Sequence, residues 1–149
     1  MSLRNDIIKG LQTSLKTIKL SEGYSLAFDD VTDLVVDLST LPKRRTPLLE
    51  VIDAGLENVV VNTKTEQLVT WPIILRGSSK IKNDKIIATI NDMLSSIKRW
   101  IYTVTPTSIH ANVTAVQFEE VTASGLIDNT VYAAVEVKIN LIYFTSGTY

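Results

Sequence analysis

The chain has 149 residues, 45% hydrophobic and 21% charged, and 15 Lys and Arg against 16 Asp and Glu leave a formal charge of −1. This composition describes one ordinary globular domain spanning residues 1–149, long enough to bury roughly 68–70% of its unfolded surface without a metal or crosslink. The absence of cysteine excludes disulfides and thiolate-held metals, and the near-neutral balance argues against a general polyanion binder.

Leu3, Ile7, Ile8, Leu11, Leu15 and Ile18 recur at helical spacing and predict an amphipathic helix over about 5–19. Asn5 or Ser2 is placed to supply the N-cap oxygen, and Ser21, Glu22 and Gly23 offer a stop. Short apolar runs at 24–28, 34–38, 48–52 and 59–61 read as strands. Between the second and third, Lys43, Arg44 and Arg45 stand between Pro42 and Pro47, which marks a loop and the best candidate for an exposed projection. β-branched and aromatic residues resume over 67–75, but Pro72 has no N–H to donate and predicts an edge strand, a bulge or a bend.

Arg76, Gly77, Ser78 and Ser79 read as a turn into a second helix over about 84–102, whose apolar stripe is Ile86, Ile90, Met93, Leu94, Ile97 and Ile101. Asn83 suits its N-cap, Asp84 the positive end of the helix dipole, and Lys98 and Arg99 the last turn. Pro106 then opens a C-terminal unit of two long strands, 109–123 and 130–144, joined as a hairpin through 124–129. In the second strand Val131, Ala133, Val135, Val137, Ile139, Leu141 and Tyr143 share one parity and are expected to face the core. In the first, Ile109, Ala111, Val113 and Ala115 share one parity while Val116 and Phe118 share the other, which predicts a bulge near 115–117. The expected fold is α+β, a mainly antiparallel twisted sheet with two helices packed on one face and a long C-terminal β-hairpin.

Residues able to do chemistry are sparse. His110 is the only histidine, expected in a strand, with no HxH, HxxxH or HxE spacing around it. Asp29, Asp30, Asp33 and Asp37 lack the D-x-[DN]-x-[DN]-G order of a calcium loop, and Arg76 to Lys80 (RGSSK) lacks the full phosphate-loop pattern. Asn112, Val113 and Thr114 match the glycosylation triplet, but the opening MSLRNDIIKG has no secretory core, and no run approaches the ~18 apolar residues of a membrane span. The expected compartment is therefore intracellular, and no catalytic residue, metal or cofactor is expected. An enzyme would require carboxylates distant in sequence to converge.

Charge placement is more informative. Residues 21–40 hold five carboxylates and no Lys or Arg, whereas 76–99 hold Arg76, Lys80, Lys82, Lys85, Lys98 and Arg99 against Asp84 and Asp92, giving −5 and +4. Helix one adds Arg4, Lys9, Lys16 and Lys19 against Asp6, and the hairpin is acidic through Glu119, Glu120, Asp128 and Glu136. The simple account is solvated faces of different sign. The sharper one is a head-to-tail contact between copies, in which opposite charges meet as a ring closes.

The order of elements, with IIKGLQTSLKTI, TPLLEVIDAG, WPIILRG, IIATINDMLSSIKRWI and the closing alternation VYAAVEVKINLIYF, resembles the tail terminator and tail completion proteins of long-tailed bacteriophages, from helix one through Phe144. The resemblance implies a small α+β protomer with helices on a sheet, forming a hexameric ring on the completed tail tube. There the ring stops polymerisation and offers a surface to the filled head. Its implied partners are other copies of itself, the tube protein and a head-completion protein, and its implied place is the virion tail, reached from the host cytoplasm. The family has no catalytic signature. By position, Lys43, Arg44 and Arg45 are candidates for contact with the tube, a neighbour or a head-side protein, and Asp29, Asp30, Asp33, Lys80, Lys82 and Lys85 for subunit contacts. A head-tail joining or minor tail protein competes within the same class. From another class comes a small nucleic-acid or ligand binding domain using the basic residues of both helices; Trp71, Trp100 and Tyr102 are the aromatics near its basic segment. Nucleic acid is the less expected partner.

Overall fold

The computed structural model describes residues 2–33, 46–63, 65–81, 85–127 and 132–146, with the side chains of 61, 62 and 127 excepted. Along them run helix α1 (Leu3–Leu15), strands β1 (Asp30–Thr32), β2 (Leu48–Asp53), β3 (Asn58–Asn62) and β4 (Glu66–Lys80), helices α2 (Ile86–Thr103) and α3 (Pro106–Ile109), and strands β5 (Val113–Ile127) and β6 (Tyr132–Ser146). The sheet order is β1-β2-β4-β6-β5, with β3 also paired to β4. Only β1 and β2 are parallel; every other pairing is antiparallel. The fold is thus α+β with a mostly antiparallel, mixed six-stranded sheet, and β5 and β6 form the C-terminal hairpin.

Ser2 caps α1, its hydroxyl accepting the Asn5 amide at 3.1 Å, and the helix buries Ile7, Leu11 and Leu15. It ends at Leu15, four residues short of the expectation. The Thr17 hydroxyl and amide both turn onto the Ser14 carbonyl, at 2.6 and 3.0 Å, and so tighten the chain out of the α-helix. A short 3₁₀ turn, Leu20–Glu22, follows. The expected strand at 24–28 does not form; Tyr24, Leu26 and Phe28 instead pack their side chains against the core, and the first strand is β1. The run at 34–38, the loop carrying Lys43, Arg44 and Arg45, and the Asn83 cap lie outside the described residues.

Two expectations for residues 67–80 are corrected. Gln67 to Leu75 is not an edge strand or a bend, and Arg76 to Lys80 is not a turn into a helix; both belong to β4, a single 15-residue strand in the middle of the sheet. Pro72 is tolerated because of what lies beside it. On that side β2 ends with Asp53 opposite Ile73, and β3 pairs with β4 only as far as Thr70, so Pro72 falls in the gap between the two ladders. Its missing N–H has no ladder partner to fail, and its carbonyl accepts the Ala54 amide at 3.0 Å. Gly77, Ser78 and Ser79 continue the strand as buried small residues.

The first strand of the hairpin begins later than expected. Residues 106–109 form the short helix α3, with Pro106 in its first turn, and β5 starts only at Val113. The bulge expected near 115–117 lies a step earlier, between Val113 and Ala115, and two more follow between Phe118 and Glu120 and between Val121 and Ala123. Their effect is to restore parity. Val113, Val116, Phe118 and Val121 come to lie opposite Tyr143, Leu141, Ile139 and Val137, the core-facing residues of β6.

The core lies between the helices and one face of the sheet. Val69, Trp71, Ile73 and Leu75 of β4, with Ala133, Val135, Val137, Ile139, Leu141 and Tyr143 of β6, form a single cluster with Ile7, Leu11 and Leu15 of α1 and Met93, Ile97, Trp100 and Ile101 of α2. The alternation predicted for β6 therefore faces as expected wherever it is described. α1 also lies hard against α3: a methyl placed on Gly10 would sit 1.8 Å from the Ile109 carbonyl oxygen.

Candidate functional site

The other face of the sheet carries side chains of opposite parity. Among the described residues, the apolar ones there lie outside the core cluster. Leu68, Ile74, Ile142, Phe144 and Ile52 are half-buried there and form its apolar part. Beside them Glu50, fully buried, is held by Arg76 through two parallel contacts, Nε to Oε1 at 2.8 Å and Nη2 to Oε2 at 2.7 Å. The hydrogen bond to Glu50 is the main cause that raises the Arg76 pKa above its ordinary value. Glu136 stands 3.9 Å from the same guanidinium. One strand further, Lys138 lies 3.5 Å from Glu119, which also accepts from the Asn140 amide at 3.1 Å. This face thus sets an ordered row of charges next to an apolar stripe.

A second constellation centres on Arg4 at the start of α1. Its guanidinium stacks 4.2 Å above the Trp71 ring, bonds Asp53 at 2.8 Å, and places Nε 2.9 Å from Glu57. That last contact lacks hydrogen-bond alignment, so its value is electrostatic. The Tyr143 hydroxyl donates to Glu57 at 2.6 Å, and Asp53 accepts from the Trp71 indole at 3.0 Å and the Gly55 amide at 3.3 Å. Burial pushes the Asp53 carboxyl up, but those two hydrogen bonds and Arg4 outweigh it and hold the group below its ordinary value. The same bonds fix the turn at Gly55, whose φ of 149° suits glycine alone, and leave Leu56 projecting with 93% of its surface exposed.

The candidates named from the sequence are distributed as follows. Asp29 and Asp33 are exposed, Asp30 opens β1, Lys80 is exposed at the end of β4, and Lys85 is exposed at the start of α2. The register Asp30↔Leu48↔Ser78 puts the acidic cluster and Lys80 at the same end of the sheet, two strands or roughly 10 Å apart. Among the described residues no ion pair joins them. Lys43, Arg44, Arg45 and Lys82 lie outside the described residues. His110 is not in a strand: it follows α3, and its Nδ1 accepts the Asn112 amide at 3.1 Å. The Asn112 side chain donates to the Phe144 carbonyl at 2.8 Å. Trp100 is buried, with its indole N–H on the Ser14 hydroxyl at 3.1 Å, while Tyr102 is exposed near Phe118, over which Lys98 sits at 5.2 Å.

Neither the Glu50–Arg76 pair nor the Arg4 hub was anticipated. A signal for the pair does exist: LLEVI and WPIILRG each hold one charge inside an apolar strand, and the charges are opposite. Among the described residues no group of three or more His, Asp or Glu is disposed to hold a metal ion, and no described helix is long and apolar enough to cross a membrane. No protein-family model and no curated protein matches the sequence.

Proposed function

We propose that this chain is a structural protein of a long bacteriophage tail, which assembles as a ring on the end of the tube, halts its polymerisation and presents a surface for head attachment. The observation that carries the proposal is the element order: an N-terminal helix, a mid-chain set of strands, a second amphipathic helix and a hairpin of two 15-residue strands. That order is what the resemblance implies for such a protomer. The half-buried sheet face outside the helix-covered core adds support, because its apolar stripe and charge row suit contact with another protein. The mechanism is geometric: subunits docked around an axis occupy the tube end where the next tube subunit would add.

The direct test adds purified protein to polymerising tube subunits and measures tube length by electron microscopy. Tubes capped and shortened in proportion to added protein are expected; tubes that grow unhindered would overturn the proposal. A head-tail joining role would leave tube length unchanged while restoring head attachment. A nucleic-acid role would give retention on DNA or RNA at low salt with a steep salt dependence.

A further inference from the structure

Between the first turn of α1 and strands β3, β4 and β6 lies a cavity of about 470 Å³. That is within the ~300–1,000 Å³ range of small-molecule sites. Leu3, Val59, Val69 and Tyr143 line its apolar side, and Arg4, Glu57 and Thr145 its polar side. Thr145 is 2% exposed, and its hydroxyl has no hydrogen-bond partner among the described residues. A buried hydroxyl left unmatched is costly, so an acceptor brought to it is strongly favoured. The first turn of α1 adds further donors. Ser2 takes the amides of Asn5 and Asp6, but those of Leu3 and Arg4 have no partner within the helix.

Charge narrows the ligand class. Among the described residues Arg4 is the only cation lining the cavity, and both Asp53 and Glu57 already engage it, so the cluster is one negative charge in excess. The helix N-terminus, worth about +0.5, offsets about half of that excess, so an anion is still repelled while a cation is attracted only weakly. The best fit is an uncharged group with an aliphatic body and a carbonyl acceptor. We propose that this cavity binds a neutral aliphatic amide, its alkyl group against Leu3, Val59, Val69 and the Tyr143 ring, and its carbonyl accepting from the Thr145 hydroxyl. This is the chemistry of a leucine or valine residue in a peptide, or of a free small amide. The site is independent of the tail assignment.

The test titrates N-acetyl-leucine methylamide into the full-length, isotope-labelled chain and follows amide and methyl resonances. Isovaleric acid serves as the anionic control. Saturable shifts clustered at Leu3, Val59, Val69, Tyr143 and Thr145 are expected, with the acid at least tenfold weaker. A capped pentapeptide, acetyl-Ser-Gly-Leu-Gly-Ser-amide, separates the sources: tighter binding than the single amide identifies a polypeptide ligand, and equal or weaker binding a free small molecule, either of which supports the site. Thr145→Val keeps the shape and removes the hydroxyl. It should raise the thermal midpoint, since no hydrogen bond is lost, while weakening the amide at least tenfold. Val59→Phe, at a partly exposed position on the rim, should abolish binding with the fold retained. Absence of saturable shifts at the cavity, wild-type affinity in Thr145→Val, or a lower midpoint for Thr145→Val would each overturn the proposal.

Discussion

Gly10→Ala sets two physical effects against each other with opposite signs. On intrinsic propensity, alanine in the middle of α1 should stabilise the helix by about 1 kcal/mol. The packing says otherwise. The new methyl would lie 1.8 Å from the Ile109 carbonyl oxygen and 2.8 Å from its carbon, whereas a carbon–oxygen contact normally sits near 3.3–3.6 Å. Closing that deficit of roughly 1.5 Å requires α3 to move as backbone, since no flexible side chain can yield. Ile109 is itself buried, and Val113, also buried, donates its amide to the His110 carbonyl, so the displacement carries into the start of β5. Overpacking of this kind costs about 1–3 kcal/mol, and backbone contact belongs at the upper end, so we expect a net loss of about 1–2 kcal/mol. Urea unfolding would register this as a midpoint lower by about 0.5–1 M for a slope near 2 kcal/mol/M. Thr13→Ala, on the exposed side of the same helix, is the control and should change stability by less than ~0.5 kcal/mol. Gly10→Ala as stable as the parent, or more so, would refute the close approach of α1 and α3.

Other substitutions probe the two charge constellations and the cap. Glu50→Gln leaves Arg76 under-neutralised on a buried sheet face and should cost about 3–5 kcal/mol by chemical denaturation, while Glu50→Leu with Arg76→Leu should recover most of it; equal losses would show that the pair is not what matters. Asp53 has a depressed folded-state pKa, so its contribution is fully present above the ordinary carboxylate value and is lost as pH falls through the lower, folded value. The stability difference between parent and Asp53→Asn should therefore be constant above ~pH 5 and shrink below ~pH 4; a difference independent of pH would contradict the assignment. Ser2→Ala removes the cap of α1 and should lower stability by about 1 kcal/mol, whereas Ser2→Asp should preserve it. Charge reversal at Lys43, Arg44 and Arg45 should abolish tube capping if that loop makes the contact proposed for it, and unchanged capping would remove it from the interface.

Periodicity carried the large features. The stripe Ile7, Leu11, Leu15 placed α1, the stripe Met93, Ile97, Ile101 placed α2, and the alternation from Ala133 to Tyr143 placed β6 with its correct face inward. These signals are legible because burial against one surface imposes its repeat on the sequence directly. Where the deciding partner is remote in the chain, local pattern misled. Pro72 looks like an interruption until the ends of β2 and β3 are seen to leave a gap beside it, and RGSSK resembles a loop until its small residues are found buried in β4. The parity break in β5 appears in the sequence, but only pairing with β6 decided that three bulges restore the apolar face. The Glu50–Arg76 pair joins residues 26 positions apart, and Arg4 meets Asp53 across 49. A chain determines by itself what repeats along it; which distant groups share a sheet face or a cavity is settled only when strands of different origin are laid side by side.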